Sequence, residues 1–448
     1  MALTGIQIFK FLPRTNCGEC GVPTCLAFAM NLAAGKAELS KCPYVSEEAK
    51  QKLGAESAPP IRLVEIGTGE NAVSVGGETV LFRHEKTFFH KTGLAVAFDD
   101  DLPDGEVAAK LERFAGLVYP RVGLRLGADL IAVRARSGDP GRFAAVVGRV
   151  VAASRASLIL MADKAELLRA GLAKCRDRRP LLHAATAANA DDVIALAKEA
   201  GVPLAVRGEG LEAVAALADK AVAAGLKDVV LDPAPKRLGE CLVQQTAIRR
   251  FALWQKNRSY GFPTLLVAAD LAGGDVAREV LVAATGIAKY AGIVVLSDVR
   301  GELLFPLLLQ RLNIYTDPQR PMKTDPGIYE INKPTAESPV LITSNFSLTY
   351  FLVSGEIEAS RVPSWLLVLD TDGLSVLTGW AAGKFVGDTV GPFVKKVGIA
   401  DRLTRKRLVL PGAVAVISGD VEEELGSQWE VLIGPREASN IPPYLRGL

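Results

Sequence analysis

The chain has 448 residues, 49% hydrophobic and 23% charged, an ordinary globular mix that leaves no room for long disorder and implies two to four domains. Lys plus Arg is 52 and Asp plus Glu is 50, so the net charge is +2, which argues against a dedicated nucleic-acid binder. With no apolar run of about 18 residues and no basic stretch leading a long apolar start, neither a membrane span nor a signal peptide is expected; the chain reads as cytoplasmic.

Residues 1–57 read as a small module. Four of the six cysteines fall within its first 42 residues, as Cys17-x2-Cys20-x4-Cys25-x16-Cys42 followed by Pro43. In a reducing compartment such clustering means metal before disulfide. A cuboidal cluster needs four thiolates, three from a tight loop and one from a return segment. Gly18, Gly21 and Pro23 supply the turns, and apolar Leu26 to Met30 would shield one side. Only one pair has x2 spacing and no His is near. A [4Fe–4S] cluster is therefore read ahead of its rivals, structural zinc and [2Fe–2S]. A helix is expected over Ser46–Leu53 and a linker over Gly54–Pro60. Cys175 and Cys241 are isolated and read as inert buried thiols.

Over 61–92, IRLVEI, NAVSV and TVLFR look like a β-hairpin or cap. Over about 93–313, eight β-branched runs alternate with amphipathic stretches. The strands are GLAVAF, ADLIAVRA, ASLILMA, RPLLHAA, VPLAVRG, DVVLD, FPTLLVAA and GIVVLS. Continuous apolar strands with helical crossovers mean a parallel sheet covered on both faces. Eight units favour a TIM barrel, with an open doubly wound sheet as the rival. The barrel domain, with its hairpin cap, is placed at 58–320. Residues 314–338 have no period and read as a linker.

A last α/β domain is placed at 321–448, with strands PVLITS, SWLLVLD, LVLPG, AVAVIS and WEVLIG. Its helices are NFSLTYFLVSGEIEA, GDTVGPFVKKVG and SGDVEEELG. This is a small doubly wound, Rossmann-like pattern.

Few side chains announce chemistry. His84, His90 and His183 are the only histidines. His90 is expected near the barrel mouth, and Asp99, Asp100 and Asp101 follow the first barrel strand, where barrels place chemistry; the bland alternative is a solvated acidic loop. Asp232, Asp270 and Asp298 read as helix N-caps. GWAAGK lacks the spacing and the Ser/Thr of a P-loop. No D-x-H-x-x-G occurs, the motif whose His ligates cobalt in many corrinoid proteins.

CGECGVPTC…CP ahead of a barrel, then TSNFSLTYF, DTDGLSVLTGWAAGKF, LPGAVA and IGPREAS, resembles the large (gamma) subunit of the corrinoid iron–sulfur protein of the acetyl-CoA (Wood–Ljungdahl) pathway. The resemblance covers essentially the whole chain. It implies a methyl carrier rather than an independent catalyst. A cob(I)amide would accept the methyl of methyltetrahydrofolate through a separate methyltransferase and donate it to the nickel site of acetyl-CoA synthase. The [4Fe–4S] cluster would return Co(II) to Co(I). The corrinoid would be base-off, its cobalt without a protein His ligand. The implied partners are a small subunit forming a heterodimer, the methyltransferase, acetyl-CoA synthase and a low-potential electron donor, with no membrane or nucleic acid. One corrinoid serving several partners also implies movement at 54–60 and 314–338.

Carried onto this chain, Cys17, Cys20, Cys25 and Cys42 are the cluster ligands. The corrinoid contacts are expected at strand-end loops of the last domain, the ligand edge of an open α/β sheet. Thr343, Ser344, Asn345 and Phe346 follow its first strand. Thr371, Asp372, Gly373 and Leu374 follow its second, close to the lower cobalt face. Gly379 and Lys384 lie on the next loop, then Pro411, Gly412, Ala413 and Val414, and finally Gly434, Pro435, Arg436 and Glu437. Two other readings remain: an electron-transfer subunit without corrinoid, and a pterin-binding methyltransferase using Asp99 or His90.

Overall fold

The computed structural model describes residues 5–33, 37, 39–46, 49, 59–121, 124–316 and 322–448. Most of the expected helix Ser46–Leu53, most of the linker Gly54–Pro60 and part of 314–338 lie outside the described residues. Contacts divide the chain into two units: Met1–Val118 with Gly127–Tyr315, and Tyr119–Leu126 with Thr316–Leu448.

The first unit begins with helices Gly5–Phe9 and Cys25–Ala33, which share a small core of Ile8, Leu12, Phe28, Ala29 and Leu32 with Cys25 and Cys42. Leu26 and Met30, expected as shielding, are exposed, because the helix turns Phe28 and Ala29 inward instead. A core this small gives little stability by itself, and modules of this size usually lean on a metal or a disulfide.

Strands β1 (Val64–Ile66) and β2 (Val73–Val75) form the expected antiparallel hairpin. TVLFR is not a strand; it forms bends and turns. A closed barrel follows, from β3 (Gly93–Asp99), β6 (Leu130–Arg134), β7 (Ser157–Met161), β8 (Leu181–Ala185), β9 (Leu204–Arg207), β10 (Val229–Asp232), β11 (Leu265–Val267) and β12 (Ile293–Leu296). All neighbours are parallel, and a bridge from Leu231 to Thr264 closes the ring. Side chains alternate: Ala95 and Ala97 point inward, while Val96 and Phe98 meet the outer helices. The hairpin plugs the strand N-termini. Val64, Ile66 and Val75 join the barrel interior, and the Ser157 hydroxyl donates to the Asn71 carbonyl at 2.6 Å, with the Ile66 carbonyl 3.0 Å away.

In the second unit the hairpin β4 (Tyr119–Arg121) and β5 (Leu124–Leu126) was not foreseen. The Arg121 guanidinium lies 5.1 Å from the Phe351 ring centre. The sheet runs β13 (Gly327–Ile331), β15 (Ser364–Leu369), β14 (Val340–Ser344), β16 (Arg407–Leu410), β17 (Glu430–Ile433). Only β13 is antiparallel. It lies inside the stretch read as a linker, which is therefore part of the domain. GIYEI is an edge strand whose flanking Pro and Asp mask its alternation.

Helix Ser347–Ser360 packs on one face with Leu341, Leu366 and Val409, and helix Gly387–Lys396 on the other with Val340, Leu367 and Leu408. AVAVIS is not a strand. Gly412–Ile417 is a 3-10 helix running into helix Ser418–Leu425, because a strand there would follow β16 with no room for a crossover.

Candidate functional site

The cysteine loop is shaped by its backbone. Gly18 and Gly21 have φ of +77° and +84°, with open space around each, so only the left-handed geometry requires glycine. The Gly21 N–H donates to the Gly18 carbonyl at 2.9 Å. Asn16 Oδ1 accepts the Cys25 N–H at 2.8 Å, and Thr24 caps the following helix through the Ala27 N–H at 3.1 Å.

All four thiols are free; Cys17 is exposed, while Cys25 and Cys42 are buried. Cys20 packs against the core that holds Cys25 and Cys42. The Tyr44 hydroxyl is pushed up mainly by its hydrogen bond to Glu19 and that carboxylate's charge, then slightly by burial and by charge at Cys17 and Cys42. Among the described residues no three His, Cys, Asp or Glu converge as on a single metal ion. A donor set of four thiols without a carboxylate or imidazole suits iron–sulfur chemistry.

A second site lies where the sheet reverses. The chain leaves β14 for β15 on one side and later reaches β16 on the other, which opens a crevice beyond the strand ends. The cleft has a volume of about 240 Å³. Thr343, Pro411, Ala413, Gly434, Pro435 and Arg436 of the expected contacts line it. So do residues the sequence reading missed: Thr349, Leu352 and Val353 on helix Ser347–Ser360, Ser375 to Leu377, and Ile441. Leu352 and Leu377 are exposed leucines facing this cleft, but helical periodicity alone could not separate them from ordinary surface leucines.

The hydroxyl oxygens of Thr343, Ser344 and Ser347 are buried and have no hydrogen-bond partner. Native proteins rarely leave buried polar groups unpaired, so such a group asks for a ligand or a water. Of the three, Thr343 lines the cleft, and an unpaired hydroxyl on a largely apolar wall at a topological switch point fits a polar-fringed, largely apolar cofactor. Gly412 lets the loops close on the cleft: a Cβ there would sit 2.4 Å from the Gly434 carbonyl oxygen.

The remaining expected contacts do not line this cleft. Asn345 and Thr371 form a buried network with Gly373, which reaches the exposed Asp370 at its edge. Asp372, at φ +57°, pairs with Lys384 and with Lys323, the latter at 3.5 Å. The Thr371 hydroxyl donates to the Leu374 carbonyl at 2.7 Å. Gly379 is not on a loop; it lies inside helix Val376–Ala381, and its carbonyl takes the Lys384 N–H at 2.7 Å. Phe346 caps helix Ser347–Ser360, Val414 is buried in the core, and Glu437 precedes the short helix Ala438–Asn440.

The barrel mouth differs from both earlier readings of its carboxylates. Asp99 is bound by Arg134 in a two-point ion pair, at 2.5 and 2.8 Å. Asp100 is fully buried and accepts the N–H groups of Arg136 and Ser137. Only Asp101 is exposed. Asp232, Asp270 and Asp298 are not N-caps. Asp232 is buried against His183 at 2.8 Å and Arg207 at 3.3 Å, Asp270 lies inside helix Ala268–Ala272, and Asp298 pairs with Lys110 at 3.3 Å. His90 precedes β3, at the opposite end of the barrel, with Nδ1 2.7 Å from the Gly76 carbonyl.

A thiol-rich module, a plugged α/β barrel with its mouth carboxylates paired internally, and an open α/β domain with a ligand cleft define a class of multidomain cofactor proteins with a redox module. Residues 63–445 match the family described as CO dehydrogenase/acetyl-CoA synthase delta subunit, and residues 12–44 match a family described by its Fe-S cluster. The "Corrinoid/iron-sulfur protein large subunit" of Moorella thermoacetica is 48% identical over 446 residues, covering 100% of this chain and 99% of that one. The "Acetyl-CoA decarbonylase/synthase complex subunit gamma" of Methanothermobacter thermautotrophicus is 36% identical, covering 99% of each. The delta-subunit match starts after the cysteine module, whereas the large and gamma subunits match end to end. The chain belongs to the family of corrinoid iron–sulfur protein large subunits. Among solved structures, a dihydropteroate synthase from Thermus thermophilus covers 56% of this chain and 99% of its own, at TM-score 0.40 and 18% identity, too low to bear on chemistry.

Proposed function

We propose that the chain is a methyl carrier. It holds a [4Fe–4S] cluster on Cys17, Cys20, Cys25 and Cys42, and a corrinoid in the cleft beyond β14 and β16. The observation that carries this reading is the cleft beyond β14 and β16, where the buried Thr343 hydroxyl lines the wall without a hydrogen-bond partner. When bound, the corrinoid supplies a cobalt nucleophile for the methyl of methyltetrahydrofolate, and the cluster supplies the electron that restores it after oxidation.

The chain's own residues bind and orient. Leu352, Val353 and Leu377 give the cleft an apolar wall that excludes water. The Thr343 hydroxyl and the backbone at Pro411, Ala413 and Gly434 would offer hydrogen bonds to an amide-fringed ring. Asn345 fixes the loop Thr371–Leu374. All three histidines lie at or before residue 183, so the fold that bears the cleft would offer a corrinoid's cobalt no imidazole. The partners in this reading are a small subunit, a methyltransferase, acetyl-CoA synthase and a low-potential electron donor.

The test is metal content after oxygen-free purification with native cofactors. About four iron and one cobalt per chain support the reading. Iron without cobalt, even after loading with cobamide and the small subunit, leaves an electron-transfer protein instead.

A further inference from the structure

We propose that Glu19 and Tyr44 form a positioning pair that holds a carboxylate beside the iron–sulfur cluster and so lowers its reduction potential; this rests on the cluster reading above. Glu19 lies between Cys17 and Cys20 in the loop, and Tyr44 lies two residues after Cys42. The Tyr44 hydroxyl donates to Glu19 Oε1 at 2.8 Å. That bond joins the loop carrying three thiols to the return segment carrying the fourth. It sits on the solvent side of the module, where Cys17 and Tyr44 are both exposed.

The physics is one of charge. Reduction adds an electron to a site already made anionic by its thiolates, and a nearby carboxylate raises the cost of that electron. A free glutamate on a surface loop would swing into water, where its field is screened. The phenol holds it in place, between two of the proposed ligands in sequence. An exposed hydrogen bond of this kind adds little to folding. Its effect belongs to the potential, where a carrier that must deliver electrons at low potential needs it.

The experiment is a redox titration of the full-length chain with its cluster, followed by the electron paramagnetic resonance signal of the reduced form. Glu19→Gln shifts the midpoint potential upward. Tyr44→Phe keeps every charge, shifts it upward by less, and adds nothing when combined with Glu19→Gln. Both shifts shrink in about 1 M salt. An unchanged midpoint in Glu19→Gln with an intact signal overturns the proposal, as do shifts from the two variants that simply add. If Glu19→Gln cannot hold its cluster, Tyr44→Phe decides: an unchanged midpoint there overturns the pair. A wild-type chain that binds iron without a four-iron signal overturns the cluster reading itself, a separate failure.

Discussion

Asn345 and Thr371 tie together the ends of two neighbouring parallel strands. Asn345 Oδ1 accepts the backbone N–H of Thr371 at 3.0 Å. The same oxygen takes the Gly373 N–H at 2.9 Å, and Nδ2 donates to Asp370 Oδ1 at 2.8 Å. Two strand-end loops thereby become one rigid piece, although the amide itself does not line the cleft.

Asn345→Ala strands two buried N–H groups, on Thr371 and Gly373. The cost is about 2–4 kcal/mol, read as an earlier urea midpoint. Corrinoid retention falls as well, because the loop after β15 is released. Wild-type retention in a destabilised variant would show that this loop does not shape the cofactor site.

The unpartnered hydroxyls give the opposite pattern. Thr343→Val and Ser344→Ala leave the cofactor-free chain as stable as wild type, or more so by up to about 1 kcal/mol, since no bond is lost. Cobamide affinity drops. Thermal melts with and without cobamide separate the two effects. A loss of stability without cobamide would mean that these oxygens already have partners.

Gly412→Ala drives a methyl group into the backbone of residues 434–436. The two loops must part, and cobamide binding weakens more than in Gly18→Ala. Gly18 has open space, so alanine there meets only the cost of positive φ, about 1 kcal/mol. Equilibrium binding of cobamide to both variants checks the contrast.

Asp129 carries part of the barrel's acid sensitivity. Burial pushes its carboxyl up, but the Arg311 and Lys91 charges, the Leu94 N–H and the Arg311 hydrogen bond outweigh burial and hold it below the ordinary value of 3.8. Its folded-state value is therefore depressed. The stability it contributes is complete above that ordinary value and is lost as pH falls through the lower folded one. Asp129→Asn costs about 3 kcal/mol at neutral pH, because it leaves buried Arg311 without its carboxylate, and it flattens the acid limb. Unfolding curves from pH 7 to 2 test both.

Cys175 and Cys241 stay unreactive in the native chain. Burial pushes their thiols up to about 12 and about 11. Alkylation of the cluster-free native protein labels Cys17 first, and the two buried thiols only after denaturation. Substituting either by Ser leaves the iron content unchanged.

Much of the architecture was legible because it is local. Eight β-branched runs at regular spacing mark the barrel strands, and four cysteines in a glycine-rich turn mark the module. The misses share one cause. β13 is an edge strand between prolines, and its strand character comes from pairing with β15. AVAVIS has strand composition, but its place after β16 turns it into a 3-10 helix. Asp232 and Asp298 look like caps in sequence, yet their partners lie on other strands and helices.

The sequence by itself determined the order of modules, the barrel's strands and the clustering of four cysteines in the first module, since each follows from spacing along the chain. Tertiary structure alone decided which expected contacts share a wall. Thr343 and Arg436 meet at one cleft because β14 and β16 pair across the switch point, while Asp372 and Lys384, on another loop, pair with each other. It also supplied Leu352 and Leu377, and the bond from Tyr44 to Glu19. Side chains far apart in sequence become neighbours only through strand order and loop closure, which no local pattern encodes.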